Sequence, residues 1–351
     1  MNIAPKEKNQ KELEADKLQK LFIEAIREGN NGLIKKRLRQ GASPSLATKE
    51  TGETPLMAAA LAGNFKLIDK LLPTNDISAV DKWGRVALLH LIWASAASRA
   101  SPKFIDCFKS LLSPEIAKMV DSDRESPLMD AAGGHDEAFE EILAALAPLS
   151  DWKVLDRQGN NLLGHALACA ANENALAIWR ASPCKAWMAS SANVEGRGIA
   201  HLAAMFDVED ALKEIAEHVD FGARDHMGRT PLMAAMAHLP LRSKTLRQLA
   251  AWSNCNDVDD DGCNALMLMI EGCDKDDDEE AQKIASEIMG FIRLDSIDKL
   301  GESALVKALD RGLVETASVI QKGMNEEESQ RLDESAEGSV FPAATSSPRR
   351  I

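Results

Sequence analysis

The sequence contains no tyrosine, and aromatic residues make up only 4% of its 351 positions. A core with so few rings must be built from Ala, Leu, Ile and Met, which suits tightly packed helices. No apolar run approaches the roughly 20 residues that a membrane span requires. The charged N-terminus also lacks the apolar segment of a secretory signal. These absences predict a cytoplasmic chain without a membrane span.

Cysteine is scarce, and positive charge is in deficit. The six cysteines are scattered along the chain, so we expect free thiols in a reducing compartment. The spacing of Cys255, Cys263 and Cys273 fits no common zinc pattern. The net charge is −14, and most of the excess lies in residues 254–280 and 324–351. Because an acidic chain repels phosphate backbones, nucleic acid is not expected as a partner.

An internal repeat is the dominant feature of the sequence. Short motifs that place a glycine four residues before a leucine recur with a mean period of about 36 residues. The complete copies are GETPL, GRVAL, GNNLL, GRTPL, GCNAL and GESAL, which end at Leu56, Leu88, Leu163, Leu232, Leu266 and Leu305. Two further copies, RESPL and GRGIA, are degraded. A repeat of this length predicts a stack of similar supersecondary units.

Each copy contains the residues needed for a turn and two helices. An Asp shortly before the glycine, as at Asp81, favours a turn in which the glycine supplies a positive φ. The following Thr54 is predicted to cap the first helix, Pro55 fits its first position, and Gly63 ends it. Apolar residues at the spacing of a second helix then follow. They are Phe65, Ile68, Leu71 and Leu72; Phe104, Cys107, Phe108 and Leu111; Phe139, Ile142, Leu143 and Leu146; Ile284, Ile288 and Phe291; and Val314, Ala317 and Ile320.

This pattern resembles the ankyrin repeat, in which a β-turn finger, two antiparallel helices and a loop form one unit. Two copies keep the family's Thr-Pro-Leu intact, and the His that follows it in the family is present at His201. The resemblance implies an all-α fold, an ankyrin-repeat solenoid of helix-turn-helix units with β-turn fingers. The array is expected to span residues 21–323, as an N-terminal cap and about eight degenerate repeats.

The two ends differ in composition from the repeats. Residues 1–20 form a charged leader. Residues 324–351 are acidic and rich in turn-forming residues, which predicts a disordered C-terminal tail. In the N-terminal cap, apolar residues at helical spacing are expected to face inward. They are Leu21, Ile26, Leu33, Ile34 and Leu38.

The resemblance also implies where a partner would bind. Ankyrin arrays bind proteins through a concave face built from the finger tips and from positions near the end of the first helix. In this chain those positions carry aromatic, Met and Arg side chains, the composition expected of binding hot spots. The residues are Trp83, Arg85, Trp93, Arg124, Arg157, Met205, Phe206, Met227, Arg229 and His238. The alternative is that some of them, Trp93 and Phe206 above all, pack into the core.

An acidic run at residues 274–280 is compatible with either a solvated loop or a docking patch for a basic partner. Its acids are Asp274, Asp276, Asp277, Asp278, Glu279 and Glu280. A second acidic motif, DVDDDG, matches the start of a calcium-binding loop, but Leu268 stands where that loop requires Glu. We therefore expect neither a metal nor a cofactor.

No motif supports catalysis. His90, His165 and His201 are expected in the core or between repeats. A Cys/His nucleophile pair has no local sequence motif in its favour, and no glycine loop follows the pattern that cradles phosphates. The sequence therefore predicts that the chain is not an enzyme.

Two functional hypotheses remain. The first is a monomeric, non-catalytic scaffold that binds an unidentified partner protein through its concave face. The second adds a cellular context, because the tail has a glutamate cluster, then small and hydroxyl residues, then a basic end. That order resembles the C-terminal export signals of type IV secretion substrates in intracellular bacteria. On this hypothesis the chain enters a host cell and acts on a host protein by the same surface.

Overall fold

The chain folds into helices joined by turns in the computed structural model, which describes residues 5–94, 96–134, 138–206, 208–237 and 243–338. These ranges contain no strand, and extended pairing is limited to two isolated bridges, Ala192 with Gly198 and Ile297 with Ser303. The predicted all-α class is confirmed. Within the same ranges, no helix is both long enough and apolar enough to cross a membrane.

The helices group into two compact units. The first comprises Met1–Ile199 and Asp210–Val219, and the second comprises Ala200–Glu209 and Asp220–Ile351. The α-helices that lie wholly or mainly in the first unit are α1 (Pro5–Arg27), α2 (Asn31–Arg39), α3 (Pro55–Leu61), α4 (Phe65–Leu71), α5 (Ala87–Ile92), α6 (Ala96–Arg99), α7 (Lys103–Leu111), α8 (Pro127–Ala132), α9 (Phe139–Leu146), α10 (Leu162–Ala168), α11 (Asn172–Ala181), α12 (Lys185–Ser190) and α14 (Glu209–Ile215). Those of the second are α13 (Ile199–Met205), α15 (Pro231–Met236), α16 (Ser243–Trp252), α17 (Ala265–Gly272), α18 (Asp278–Ile288), α19 (Ala304–Arg311) and α20 (Val314–Gly338). Single 3₁₀ turns occur at Leu72–Thr74, Ile116–Lys118, Ala216–His218 and Lys275–Asp277.

The first helix of a sequence repeat begins where its cap residue predicts. Thr54 Oγ1 accepts the Met57 backbone N–H at 3.2 Å, and Thr230 Oγ1 accepts that of Met233 at 3.4 Å. The same kind of bond is made by Ser126, Asn161, Asn264 and Ser303. Proline occupies the first helical position at Pro55, Pro127 and Pro231. Each cap is worth about 1 kcal/mol, so these bonds fix where the helices start.

The small residues of the first helices lie in the core of each unit. Residues 56–60 of α3 and 232–236 of α15 are all buried. The predicted second-helix stripes are buried completely in α7 and α9. Alanine on one helix and Leu, Ile or Phe on the next let the helices approach closely without leaving voids.

Three residues that were predicted to face inward are exposed: Leu38, Phe291 and Val314. Phe291 follows the end of α18, and Val314 is the first residue of α20. The helical spacing assumed from the sequence therefore does not extend to either of them. In the N-terminal cap, Phe22 and Ile23 of α1 are buried, although the sequence pattern did not single them out.

The C-terminal segment differs from its prediction. Helix α20 runs to Gly338, so residues 324–338 are helical where the composition predicted a disordered tail. Glu, Gln, Arg and Ala are good helix formers, and here they continue a helix whose first turns are packed. Arg331 Nη1 also lies 3.2 Å from Asp295 Oδ2. Residues 339–351 lie outside the described ranges.

Candidate partner-binding surface

The turn before α5 presents Trp83 and Arg85. Asp81 Oδ1 accepts the backbone N–H groups of both residues at 2.9 Å, and the Asp81 N–H donates to the Arg85 carbonyl at 3.0 Å. Gly84 between them has a φ of 79°, which glycine adopts without strain. The turn is therefore held at both ends, and Trp83 remains 39% exposed at its tip.

Successive turns are hydrogen-bonded to one another within each unit. The Ser122 N–H donates to the Trp83 carbonyl at 2.7 Å, and the Arg157 N–H donates to the Asp123 carbonyl at 3.0 Å. In the second unit the Lys299 N–H donates in the same way to the preceding turn at 2.9 Å. These bonds place neighbouring turns side by side, so their tips share one edge of each unit.

Trp83, Arg85 and Trp93 lie together, and we refer to them as the indole–guanidinium cluster. The guanidinium carbon of Arg85 lies 5.2 Å from the ring centroid of Trp83 and 4.4 Å from that of Trp93. Lys82 Nζ lies 4.3 Å from the Trp83 centroid. A cation over an indole contributes about 0.5–1 kcal/mol when exposed and more when desolvated. The cluster therefore offers aromatic area that is already fixed in place before a partner arrives.

Asp130 of α8 lies behind this cluster. The Trp93 indole N–H donates to Asp130 Oδ1 at 2.9 Å, whereas the solvent-shielded Oδ2 has no hydrogen-bond partner among the described residues. Burial raises the pKa of Asp130 to about 7, and the carboxylates of Glu125 and Asp121 add to the effect. A buried carboxyl that is only half satisfied is unusual in proteins. Its bonded oxygen, Oδ1, holds the Trp93 indole in place.

His90 of α5 lies behind the same turn. His90 Nε2 is 3.3 Å from Asp81 Oδ2, but neither atom makes a well-directed hydrogen bond within the described part of the chain. Burial lowers the pKa of His90 and outweighs the opposing charge of Asp81. His90 is therefore a neutral interior residue, in agreement with the sequence analysis.

Two predicted arginines lie on the next turns of the first unit. Arg124 is exposed, and its backbone has a φ of 65°. Arg157 Nη2 donates to the Ser122 carbonyl at 2.6 Å, and Arg157 Nη1 lies 3.0 Å from Asp123 Oδ1. Arg157 therefore also braces the turn that precedes its own.

The second unit contains the remaining predicted residues. Met205 is only 9% exposed and belongs to the core, whereas the neighbouring Phe206 and the turn residue Met227 are exposed. Met205 and Phe206 were both predicted for the binding surface, with the core as an alternative for Phe206, and only Met205 lies in the core. His238 lies outside the described residues.

Arg229 links its turn to neighbouring groups. Arg229 Nε lies 3.8 Å from Asp259 Oδ2. Its carbonyl accepts a hydrogen bond from His201 Nε2 at 2.9 Å, and His201 is completely buried. His201 thus makes the bond to an adjacent repeat that the sequence analysis expected.

The acidic run belongs to helix starts rather than to a loop. Asp274 Oδ1 accepts the Asp276 N–H at 2.9 Å, and Asp277 Oδ2 accepts the Asp274 N–H at 2.8 Å. Asp278 begins α18, and its carboxylate accepts the Thr316 N–H at 3.0 Å, which caps α20. Carboxylates at these positions also interact favourably with the helix dipole. Part of the run therefore has a structural role.

The other acids of the run extend into the first turn of α18. Glu279 Oε1 lies 2.9 Å from Lys283 Nζ one turn later. Asp274, Asp276, Asp277, Glu279 and Glu280 are exposed. A docking patch for a basic partner, if present, is confined to these five side chains.

Three potential metal ligands meet in the second unit. Cys263, Glu271 and Asp298 place their ligand atoms within 4.8 Å of one another. The ammonium group of Lys307 lies between the acids, 2.7 Å from both Glu271 Oε1 and Asp298 Oδ2. Burial opposes the charge on Lys307, but its hydrogen bonds to Asp298 and Glu271 outweigh burial and raise its pKa. The lysine thus supplies the positive charge that a metal ion would bring.

Comparison with known proteins finds a partial similarity. No family model matches the chain. A stretch of 149 residues is 26% identical to the phosphocholine transferase AnkX of Legionella pneumophila. The aligned region covers 42% of this chain and only 15% of AnkX. The similarity is therefore to a small part of a much longer protein.

Proposed function

We propose that this chain is an ankyrin-repeat array and a non-catalytic scaffold, which binds a partner protein through the indole–guanidinium cluster and the turns beside it. The proposal depends above all on one observation. Arg85 lies against two indoles at an exposed edge. Such a site combines rigid aromatic area with a guanidinium, as hot spots do.

The recurring local structure supports the ankyrin part of the proposal. Asp turns, capped first helices and buried second-helix stripes occur in both units. The bond from His201 to the Arg229 carbonyl occupies the position at which the family's histidine acts. A stack of such hairpins presents a long rigid surface rather than a deep pocket.

The chemistry of the cluster also limits which side chains a partner can place against it. Trp83 is 39% exposed and can pack against an apolar or aromatic side chain. A partner segment that places such a side chain against Trp83 would fit this surface.

The experiment compares two tryptophans of similar exposure. Trp83 is 39% exposed in the cluster, and Trp252 is 38% exposed in the second unit. Proteins captured by the immobilised wild type are identified by mass spectrometry, and their binding to Trp83→Ala and Trp252→Ala is then measured. We expect Trp83→Ala to weaken binding at least tenfold, the effect of losing about 1.4 kcal/mol at a hot spot. A partner that binds all three proteins equally would contradict the proposed surface.

A second candidate function places the same surface in a bacterial effector. The partial similarity to a Legionella pneumophila protein is compatible with it, as is the order of acidic, small and basic residues in 324–351. Fusing these residues to a reporter enzyme tests the export step. Delivery of the reporter into host cells that requires a type IV secretion system would support the effector, and a reporter retained in the bacterium would exclude this export route.

A further inference from the structure

Asp156, His165 and Cys169 form a connected line of polar atoms in the first unit. Asp156 belongs to the turn before α10, His165 to α10 itself, and Cys169 is the residue that ends this helix. His165 Nδ1 donates to Asp156 Oδ2 at 3.1 Å, and His165 Nε2 lies 3.9 Å from Cys169 Sγ. Asp156 and His165 are buried, whereas Cys169 is exposed. Only the thiol end of the line therefore faces solvent.

Asp156, at the buried end of the line, is held by hydrogen bonds within its own turn. Asp156 Oδ1 accepts the Asn160 backbone N–H at 2.8 Å, and Asp156 Oδ2 accepts the Asn160 side-chain amide at 3.0 Å. A carboxylate fixed in this way orients the imidazole, because it leaves Nε2 as the nitrogen directed at the sulfur.

The outer end is packed against a neighbouring helix. A Cβ added to Gly133 at the end of α8 would lie 3.1 Å from Cys169 Sγ and 3.2 Å from His165 Nε2. Those separations are shorter than ordinary contacts, so glycine is the residue that fits over the sulfur and the imidazole. The pair is therefore confined laterally and open toward solvent.

The charges around His165 favour its protonated form. Asp156 and Cys169 face it from its own segment, Glu125 from the turn before α8, and Asp130 from α8. Burial lowers the pKa of His165, but the hydrogen bonds to Asp156 and Cys169 outweigh burial and raise it to about 10. An imidazolium beside a thiol stabilises the thiolate, which is the nucleophilic form of cysteine.

The other five cysteines lack this arrangement. Burial raises the pKa of four thiols, those of Cys107, Cys255, Cys263 and Cys273. Cys184 is partly exposed, and its sulfur lies 3.6 Å from the Ser182 hydroxyl rather than beside an imidazole. Reactivity is therefore expected at Cys169 in preference to the rest.

We propose that Cys169 is a nucleophilic thiol and a site of reversible covalent modification by small disulfides, with His165 and Asp156 as its positioning residues. Because His165 is already protonated, Cys169 releases its proton to solvent, and the thiolate beside the imidazolium attacks one sulfur of the disulfide. A new S–S bond forms, the original S–S bond breaks, and the departing thiolate takes a proton from solvent. Cys169 is thereby oxidised to a mixed disulfide, and the other half of the reagent is reduced to a thiol.

The pH dependence of alkylation tests the thiolate. Iodoacetamide labelling of Cys169 is followed by peptide mass spectrometry from pH 6 to pH 8. An ordinary thiol with a pKa near 8.5 reacts roughly 75-fold faster at pH 8 than at pH 6. We expect labelling of Cys169 in the folded chain to rise much less steeply than this, because an imidazolium lies beside the sulfur. Cys169 in the urea-unfolded chain is expected to follow the steep profile, and Cys184 in the same sample is the comparison for a thiol without an adjacent imidazole.

A variant and a disulfide reagent complete the test. His165→Gln should restore the steep profile at Cys169, and its melting curve shows whether it is folded. Glutathione disulfide at pH 7 should modify Cys169 before Cys184, and a reducing agent should reverse the adduct. A steep profile for Cys169 in the folded wild type would overturn the proposal, whether or not the variant folds. So would a flat profile that survives in folded His165→Gln, or a failure to form the glutathione adduct.

Discussion

Single residues in this chain hold backbone strain that neighbouring repeats avoid. Arg124 has a φ of 65° and Ala170 a φ of 55°. Gly84 occupies the turn position equivalent to Arg124, and Gly63 occupies the helix-ending position equivalent to Ala170, both with positive φ. A residue with a Cβ is less stable there by roughly 1–2 kcal/mol. The strain at Arg124 lies within the proposed binding surface, where strained backbone often serves function.

We predict that Arg124→Gly and Ala170→Gly each raise the free energy of unfolding by about 1 kcal/mol. The left-handed strain disappears, and the greater chain entropy of glycine offsets only part of that gain. Urea denaturation followed by circular dichroism measures the change. Gly84→Ala is the control in the opposite direction, because a residue with a Cβ is strained at a φ of 79°. Glycine variants no more stable than the wild type would contradict the prediction.

Asp130 should make the stability of the chain fall as pH rises. Its pKa is about 7 in the folded state and about 3.9 in an unfolded chain. Between these values the folded state holds a proton that the unfolded state has lost, so stability declines from about pH 4 to pH 7 and is level above. Since Asp130 keeps some solvent contact, we expect a loss of about 1–2 kcal/mol rather than the full linkage value.

Asp130→Asn separates this effect from the rest of the pH dependence. Asparagine still offers an oxygen to the Trp93 indole N–H but does not ionise. Urea denaturation at pH 4, 6 and 8 should show the variant gaining stability relative to the wild type as pH rises. Parallel pH profiles for the two proteins would mean that Asp130 does not carry the effect.

Contacts between residues close in the sequence were predictable, whereas contacts between distant residues were not. The bonds made by Asp81 and Thr54 lie within four residues of each, so local motifs predicted them correctly. The bond between Trp93 and Asp130 joins residues 37 positions apart, and no local pattern specifies it. The burial of Met205 has the same origin, because one step along a helix turns a side chain by about 100° and only packing decides which side chain faces the core.

At the scale of elements, three copies share a contact between the turn and the helix that follows it. A basic residue, His or Lys, nine residues after the turn Asp lies within 2.7–3.3 Å of its carboxylate. The pairs are Asp81 with His90, Asp156 with His165, and Asp298 with Lys307. In the copy that begins with Asp121, this position is Asp130, and Arg85 of the preceding turn supplies the cation at 3.6 Å from Asp121. An acid therefore stands at Asp130 where these three copies carry a basic residue.

Lys307 is the strongest example of this relation. We predict that Lys307→Met lowers the free energy of unfolding by about 3 kcal/mol, because Asp298 and Glu271 are left without their cation. The matched control is Lys283→Met, which removes an exposed helical pair with Glu279 and should cost less than about 0.5 kcal/mol. Urea denaturation of both variants measures the difference. Similar small losses in both would show that the buried ammonium is not needed for stability.

Whole helices were predictable where two signals agreed. In α7 and α9 the apolar spacing and the flanking turn residues both indicated a second helix, and both stripes are buried. In α20 the signals conflicted, since a charged composition indicates disorder while the same Glu, Gln and Arg residues favour helix. The helix continues to Gly338, because its packed first half nucleates the second. Composition alone carries no information about that packing.

At the scale of the whole molecule, the repeat predicted the all-α class, but it did not predict the division into two units. One boundary falls between Ile199 and Ala200, inside the degraded copy GRGIA. That copy has no Thr or Ser cap and no proline. The sequence analysis nevertheless counted it as a repeat within a single array. A periodic sequence indicates that similar elements follow one another, whereas compactness depends on how well each copy packs.

The C-terminal part of α20 provides the last prediction. Deleting residues 324–351 removes the helical turns after Gly323 and the pair between Arg331 and Asp295, which is on the surface and worth less than about 1 kcal/mol. We therefore expect the melting temperature to change by less than about 3 °C. A longer deletion from Val314 also removes the buried Thr316 and Ile320 and should lower it much further. Differential scanning calorimetry of the two truncations distinguishes a helix that projects from the fold from one that is part of it, and a large loss in the shorter truncation would show the latter.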